Sequence, residues 1–474
     1  MKTELYTRIV IVVSVFFFGV IIFNLLQDQE IFKKTLGKIA ITYMNTSEPG
    51  EIIKTASILK TNNPYTTFAR HNFLNWDVQF FSYMAENGYG KDETWPGIGT
   101  YAFSPLFPFI WKITHLPAPL ICILNYLMFA VSLILLSSLF LSPDDFGKTD
   151  RILLFTLALT LPSVFSFYIP YCESTFIFTF SLAIWGLFRN KRWLFYLGLV
   201  LFTLSRPSFL IVIAAIIMTD LYFLILNRRF RKFIIELGIK LLPILAGVVI
   251  TFFIQFLSSG SFFKMFEVHD LFWGHFFQVP RTIKDWSTEG YAMNIFSICC
   301  VVLPTSLLFF SFLVSHLRRG QKCSITLFSA ESRQDYLYIL SIIFFAGNFF
   351  FVMFTQGGNL NGIHRYVLVS PFFYIFFFLF AKRLKTMKFN YMPVILISLV
   401  YLGFLLLVHG PYQHKISFLD AGYFLLVITM FYYIFFNKIY RPVKIVLLVL
   451  LVPLNTVWLT YLFNHFLNNA FIIP

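Results

Sequence analysis

Apolar runs of about 18 residues or more recur from one end of this chain to the other, and that is the length a helix needs to cross a bilayer. A backbone inside hydrocarbon must satisfy its own N–H and C=O groups, so such runs fold as helices. Composition agrees. Of the 474 residues, 58% are hydrophobic and only 12% charged, against roughly 25% charged in a soluble domain. The 64 Phe residues suit helices that face lipid. The fold class read from this is an all-α polytopic membrane protein with about thirteen transmembrane helices.

The charges set the topology. The formal net charge is +15. On a soluble chain that excess points to nucleic acid, but here the basic residues sit in short clusters between apolar runs, so no nucleic-acid partner is expected. The clusters are Arg189–Arg192, Arg228–Lys232, Arg318–Lys322, Lys382–Lys388 and Lys438–Lys444. The positive-inside rule puts all of them in the cytoplasm, so the chain crosses an even number of times between each pair. Two runs lie between Trp193 and Asn227, broken at Ser205-Arg206-Pro207-Ser208. Two flank the polar loop Ser259–Asn294, two flank Thr355–Arg365, and two flank His409–Lys415. A last helix over about Val443–Phe463 leaves the C-terminus outside.

The N-terminal half fits the same frame. The opening apolar run, to about Leu26, is followed by no clear small-residue cleavage site and reads as a retained first helix. The polar stretch from Asp28 to Tyr101 then lies outside, and the next clear span is Leu120–Leu141. This requires that Ala102–His115, short and holding Pro105 and Pro108, does not cross. Ile31–Tyr43 mixes Lys with apolar residues at helical spacing and reads as an amphipathic surface helix. The sequon Asn45-Thr46-Ser47 falls in the same loop. The five cysteines have neither zinc-ligand nor redox-motif spacing. No repeat of fixed period is visible.

Ionisable residues beside membrane helices are costly and mark functional sites by default. In this topology a set of them falls on the outer face: Asp77 and Glu86 in the first loop, Glu173 and Arg206 at helix junctions, and His364 and Arg365 just before a helix. His269, Asp270, His275 and Arg281 share that side. The histidine loop forms no i, i+4 ligand pair on one face, so no metal is expected. Each candidate also has a plain reading. Asp77 can cap the helix starting at Val78, Arg206 can snorkel at the membrane edge, Glu173 can sit on a helix dipole, and Glu86 can pack within its loop.

One stretch carries more than spacing. It contains Trp76-Asp77, then Met84-Ala85-Glu86-Asn87-Gly88-Tyr89, then Ala102-Phe103-Ser104-Pro105-Leu106. This order resembles the signature of the PIG-V mannosyltransferase family: Arg-Trp-Asp, an aromatic-rich helix ending Ile-Ala-Glu-x-Gly-Tyr, then Ala-Phe-Phe-Pro-Leu. Leu161–Phe180 resembles that family's Ser-Pro and Tyr-x-Glu-Ser segment, followed by a Ser-Arg junction at Ser205-Arg206. His364-Arg365-Tyr366 resembles its Arg-aromatic pair. The clear resemblance spans about Asn75 to Leu210. Asn75 stands where the family often has Arg, Phe80 where it often has His, and Pro162 is displaced against the Ser-Pro order.

The resemblance implies a GT-C-like glycosyltransferase, one membrane domain over residues 1–474 with an extracytoplasmic first loop over 27–118. It implies transfer of a hexose, mannose in the family, from a polyprenyl- or dolichyl-phosphate sugar to a lipid-linked or surface glycan acceptor, with inversion and no cofactor. The chain lacks an Asp-x-Asp pair, a Walker motif and a Gly-rich dinucleotide fingerprint. On this reading Asp77 is the catalytic base, and Trp76, Glu173, Arg206, His364 and Arg365 bind substrate, the cations holding phosphate. The plentiful Phe, Lys, Ile and Asn point to a prokaryotic plasma membrane, with the site on the extracytoplasmic face. The alternative is a transporter or flippase of lipid-linked saccharides, which would share the helices and the arginines. Alternating access, however, places substrate groups at the midplane between repeated halves, and here the polar groups gather at one face.

Overall fold

The computed structural model describes residues 2–27, 73–90, 95–227, 230–273, 277–285, 291–319, 325–385, 392–407 and 441–467. In chain order its helices are α1 (Lys2–Gln27), α2 (Val78–Asn87), α3 (Leu106–Thr114), α4 (Ala118–Phe140), α5 (Lys148–Thr160) and α6 (Glu173–Phe188). There follow α7 (Arg192–Ser205), α8 (Phe209–Asn227), α9 (Phe230–Ser259), α10 (Lys264–Trp273), α11 (Tyr291–Ser297) and α12 (Leu303–Arg319), the last two joined by a π-turn over Ile298–Val302. The rest are α13 (Arg333–Thr355), α14 (Ile363–Val367), α15 (Pro371–Leu384), α16 (Met392–Leu407) and α17 (Arg441–Leu467). Among the described residues the only extended pairing is an isolated bridge between Lys284 and Asn359. The surface helix expected over Ile31–Tyr43, the sequon, His275, and the second helix of the Tyr391–Phe436 pair lie outside the described residues.

What marks this bundle as membrane-embedded is where its apolar residues remain uncovered. On α1, Leu5, Ile9, Val13, Phe17 and Ile21 are exposed at four-residue spacing, while Val12 and Val15 pack inward. On α9 the exposed stripe runs through Leu242, Leu245, Val249, Phe253 and Leu257. Continuous apolar stripes of that length would be intolerable in water, whereas lipid is their solvent. Inside the bundle, small residues let helices approach closely. A Cβ on Gly198 of α7 would lie 2.7 Å from the Ala183 nitrogen of α6, and one on Gly247 of α9 would lie 2.7 Å from Thr203 Cβ of α7.

Five helical stretches among the described residues are long and apolar enough to cross a membrane: Glu4–Ile22, Ala118–Phe140, Phe233–Ser259, Met293–Val314 and Arg333–Thr355. Four more apolar helices are shorter, Glu173–Phe188, Arg192–Ser205, Phe209–Ile225 and Val449–Thr460. Thirteen full spans are not established among the described residues, and several of their apolar helices are short. The reason is visible at α6 and α7, whose ends are cut by Pro170-Tyr171-Cys172 and by Ser205-Arg206-Pro207. At about 1.5 Å per residue each falls short of a hydrocarbon core of about 30 Å. Their irregular ends are buried in protein, which is where non-helical backbone at membrane depth is tolerated.

The helices alternate in direction, so the bundle has two chemically different ends. One is basic. It collects the start of α1, the turn from α6 to α7 and the starts of α9 and α13, and is tied by ion pairs from Lys382 to Asp145 (2.7 Å) and from Arg383 to Asp335. The other gathers α2, α3 and the junctions before α6, after α7 and before α14. The 9-residue α3 stops at His115, and the chain re-enters at α4 from that same end, because Asn125 near its start reaches the junction before α6. The helix in the Ala102–His115 segment is therefore too short to span a hydrocarbon core of about 30 Å.

One buried ion pair lies between the ends. Lys240 of α9 donates to both carboxylate oxygens of Asp220 on α8, at 2.6 Å each, and to the Tyr336 hydroxyl of α13 at 3.1 Å. Removing one partner strands a charge in low dielectric. Lys240→Met is expected to cost about 3–5 kcal/mol, and Lys240→Met with Asp220→Leu clearly less. Thermal unfolding of the two variants in detergent checks this.

Candidate functional site

Asn75, Trp76 and Asp77 turn the chain into α2. Asn75 Nδ2 donates to the carbonyls of Phe466 and Leu467 at 2.8 and 3.2 Å, closing the C-terminal turn of α17. Trp76 has φ +53, a left-handed conformation that a bulky side chain adopts only at a cost. Asp77 stands at the N-cap position of α2, yet its carboxylate makes no capping hydrogen bond. The capping reading of Asp77 is thereby excluded. The side chain instead accepts from Arg365 Nη1 at 2.9 Å through Oδ2.

Arg365 draws in a second acid. Its Nε donates to Glu173 Oε1, and Glu173 Oε1 also lies 3.7 Å from Arg206 Nη1. Four groups from four distant segments thus form one buried cluster, in the order Asp77, Arg365, Glu173, Arg206. Glu173 opens α6, where the helix dipole favours a carboxylate. Arg206 is 5% exposed, so it does not snorkel to water. Its backbone is extended, at φ −153 and ψ 143, in the break between α7 and α8. Pro207 disfavours helix at the preceding residue, which is why the break falls there.

Aromatic rings carry the guanidinium faces. Arg365 sits 4.7 Å above the Tyr171 ring, and Arg206 sits 4.7 Å from the Tyr366 ring and 5.7 Å from that of Phe176. Stacking of this kind holds the cation by its face and leaves its in-plane N–H donors for anions. The Tyr171 hydroxyl accepts from the Asp77 amide at 3.3 Å. Asn125 of α4 fixes the Tyr171 loop by donating to the Ile169 and Tyr171 carbonyls at 2.6 and 3.0 Å.

The Arg365 segment is braced from outside. Lys284 N donates to the Gly358 carbonyl and Leu360 N donates to the Lys284 carbonyl, both at 2.8 Å. Gly358 has φ +88, and a Cβ there would meet the Thr282 carbonyl at 2.1 Å, so only glycine closes this turn. Gly362, at φ +74, starts α14.

Among the described residues, three groups in the cluster lack hydrogen bonds that their neighbours have. Asp77 Oδ1 accepts none and retains some accessible surface, Glu173 Oε2 is buried with no partner, and Arg206 donates none. Burial pushes the Asp77 carboxyl above its ordinary pKa, while Arg365 pulls it back. A base raised in this way is better matched to proton transfer near neutral pH.

His364 does not join the cluster. Its Nδ1 lies 2.6 Å from Asn294 Oδ1, which also accepts from the His364 amide, and Asn294 Nδ2 donates to Asp285 Oδ2 at 2.9 Å. Because the Asp285 carboxylate only accepts, the Asn294 amide must face it with nitrogen. His364 therefore carries its proton on Nδ1. Burial and the Arg365 charge push its pKa down to about 3, so it is neutral. This corrects its expected role as a phosphate-holding cation. Trp76 is half-buried beside the cluster. Glu86, Asp270 and Arg281 are exposed. Among the described residues no group of three His, Cys, Asp or Glu is placed to hold a metal ion.

Tyr171 and Tyr366 fall inside motifs the sequence brings forward, whereas Asn125, Asn294 and Asp285 do not. Asn125, a polar residue inside an apolar run, is the one legible signal among these three.

The chain matches no protein-family model, no curated protein sequence and no solved structure. The chemistry of the cluster therefore stands on its own residues.

Arg365 bridges the two acids through a planar fork that an ammonium cannot reproduce. Arg365→Lys, which keeps the charge, is expected to lower stability by about 1–3 kcal/mol, read as a drop in melting temperature in detergent.

Proposed function

We propose that this protein is a membrane glycosyltransferase of the GT-C class, similar to the PIG-V mannosyltransferases. It transfers a hexose, mannose in the closest reading of its motifs, from a polyprenyl- or dolichyl-phosphate sugar to a lipid-linked or cell-surface acceptor. One observation carries the reading. The carboxylate of the Trp-Asp motif turns away from its own helix, is held by Arg365 through one oxygen, and presents the other without a hydrogen bond among the described residues, near a buried arginine that pairs with Glu173 at 3.7 Å but donates no hydrogen bond among them.

In this scheme the acceptor hydroxyl attacks the anomeric carbon as its proton passes to Asp77 Oδ1. The bond from that carbon to the phosphate oxygen breaks, and the electron pair leaves with the lipid phosphate. A single displacement inverts the anomeric centre. Arg206, with Arg365 behind it, stabilises the phosphate charge as it develops, often the largest contribution to such catalysis. Glu173 orients Arg365 and Arg206, and its Oε2 accepts a substrate hydroxyl. His364 is a neutral positioning residue behind Arg365. The basic end of the bundle faces the cytoplasm and the cluster faces outward, in the plasma membrane of a prokaryote.

Purified protein in lipid, given radiolabelled polyprenyl-phosphate-mannose and a membrane-lipid extract, is expected to transfer label. Asp77→Asn is expected to lower the rate by about 10²–10⁴-fold. Transfer by the wild type with equal transfer by the variant would keep the enzyme and remove Asp77 from the chemistry. No transfer from this or any other polyprenyl-phosphate sugar would shift the reading to a transporter.

The base must be deprotonated to act, and its pKa is raised. Activity is therefore expected to fall as pH drops through a value above the ordinary aspartate range. The residual activity of Asp77→Asn should lack this acid limb, which an initial-rate pH profile of both proteins checks.

A further inference from the structure

A cavity among the described residues lies at the basic end, remote from the acid–arginine cluster. Its volume is about 970 Å³. It is bounded by the turn from α6 to α7, the first turns of α9, and the segment leading into α13. Of these helices, α6 carries Glu173 at its opposite end and α7 is followed there by Arg206. Along α6, Glu173 stands most of the helix away from Gly186, the first of its residues to line the cavity, a rise of about 20 Å.

Its lining has two parts. Arg192, Arg231 and Arg333 face a single carboxylate, Glu236, so the charged lining is net basic by two. The remainder is apolar and aromatic, including Phe195, Phe230, Ile235 and Phe328. The three arginines share one level. Arg192 and Arg333 are the first residues of apolar helices, and Arg231 precedes by two residues the apolar stretch that starts at Phe233. In a bilayer that level is the headgroup region, where phosphate lies. Phe230 and Ile235 beside them are 62% and 54% exposed, so the apolar wall opens toward lipid. Arg333 is itself 6% exposed. It gives Nε to the Leu327 carbonyl at 3.0 Å and Nη2 to the Phe328 carbonyl at 3.5 Å, and Nη1 has no hydrogen-bond partner among the described residues.

We propose that this cavity binds an anionic phospholipid of the leaflet at the basic end, its phosphate among Arg192, Arg231 and Arg333 and an acyl chain along Phe230 and Ile235. A free phosphate would leave the apolar wall uncovered. A zwitterionic lipid would bring a second cation into a lining that is already basic. The site is independent of the transferase reading, since it shares no residue with that cluster.

The test is lipid binding by the delipidated full chain in detergent, followed by native mass spectrometry with phosphatidylglycerol, phosphatidylcholine and inorganic phosphate as probes. Phosphatidylglycerol is expected to bind at least about tenfold more tightly than phosphatidylcholine, the order of one lost charge-assisted contact. Arg192→Gln with Arg231→Gln, both exposed positions, should abolish that preference without changing the melting temperature. Ile235→Asp, which leaves the arginines in place, should weaken both lipids. Equal binding of the two lipids to the wild type, or an undiminished preference in the double variant, overturns the proposal. Displacement of the lipid by millimolar inorganic phosphate also overturns it, in favour of a phosphate site.

Discussion

Two carboxylates and two guanidinium groups share one buried volume, and the architecture around them follows from the need to pair them there. Moving an ion out of water costs several kcal/mol even after relaxation, and pairing repays this only with good geometry and further hydrogen bonds. Here Arg365 meets Asp77 and Glu173 with separate nitrogens, Glu173 rests on the N-terminus of its helix, and each guanidinium lies on a tyrosine ring. Such geometry cannot be built from continuous helices. The breaks before α6, between α7 and α8, and between α13 and α14 are what bring the four side chains to one point.

The two ends of the bundle are therefore under different constraints. At the basic end arginines and lysines sit at helix termini, where some pair with nearby carboxylates such as Asp145 and Asp335. Helix termini tolerate charge because long cationic side chains can reach from them to the membrane edge. At the other end the charges are enclosed and neutralise one another. Between them, Lys240 and Asp220 form a pair at helix-interior positions, with Tyr336 as their third partner. A polar residue in an apolar helix needs a partner on a neighbouring helix, and this pair joins α8, α9 and α13 through that requirement.

Much of this was readable in the chain. The even number of crossings between basic clusters anticipated the alternating helices, and Pro105 with Pro108 anticipated a segment too short to cross. The cost of charge near a membrane brought Asp77, Glu173, Arg206 and Arg365 forward together, and these are the side chains that meet. Less was readable where two residues share a motif but not a direction. His364 and Arg365 are adjacent, yet one turns to Asn294 and the other to Glu173, because successive residues of a helical turn point about 100° apart. The shortness of α6 and α7 was hidden for a related reason. Hydropathy registers apolar length but not whether a junction such as Ser205-Arg206-Pro207 lies in the interface or deep inside the protein.

Sequence alone determined that the chain is helical and membrane-embedded, where its basic end lies, and which ionisable residues are too costly to be incidental. These follow from transfer free energies, which are properties of residue type and order. Only the tertiary structure decided that the Asp77 carboxylate leaves its own helix unbonded, that one arginine holds two acids, and that His364 stays neutral. Those outcomes depend on distances between segments up to 288 positions apart, set by packing that no local pattern encodes.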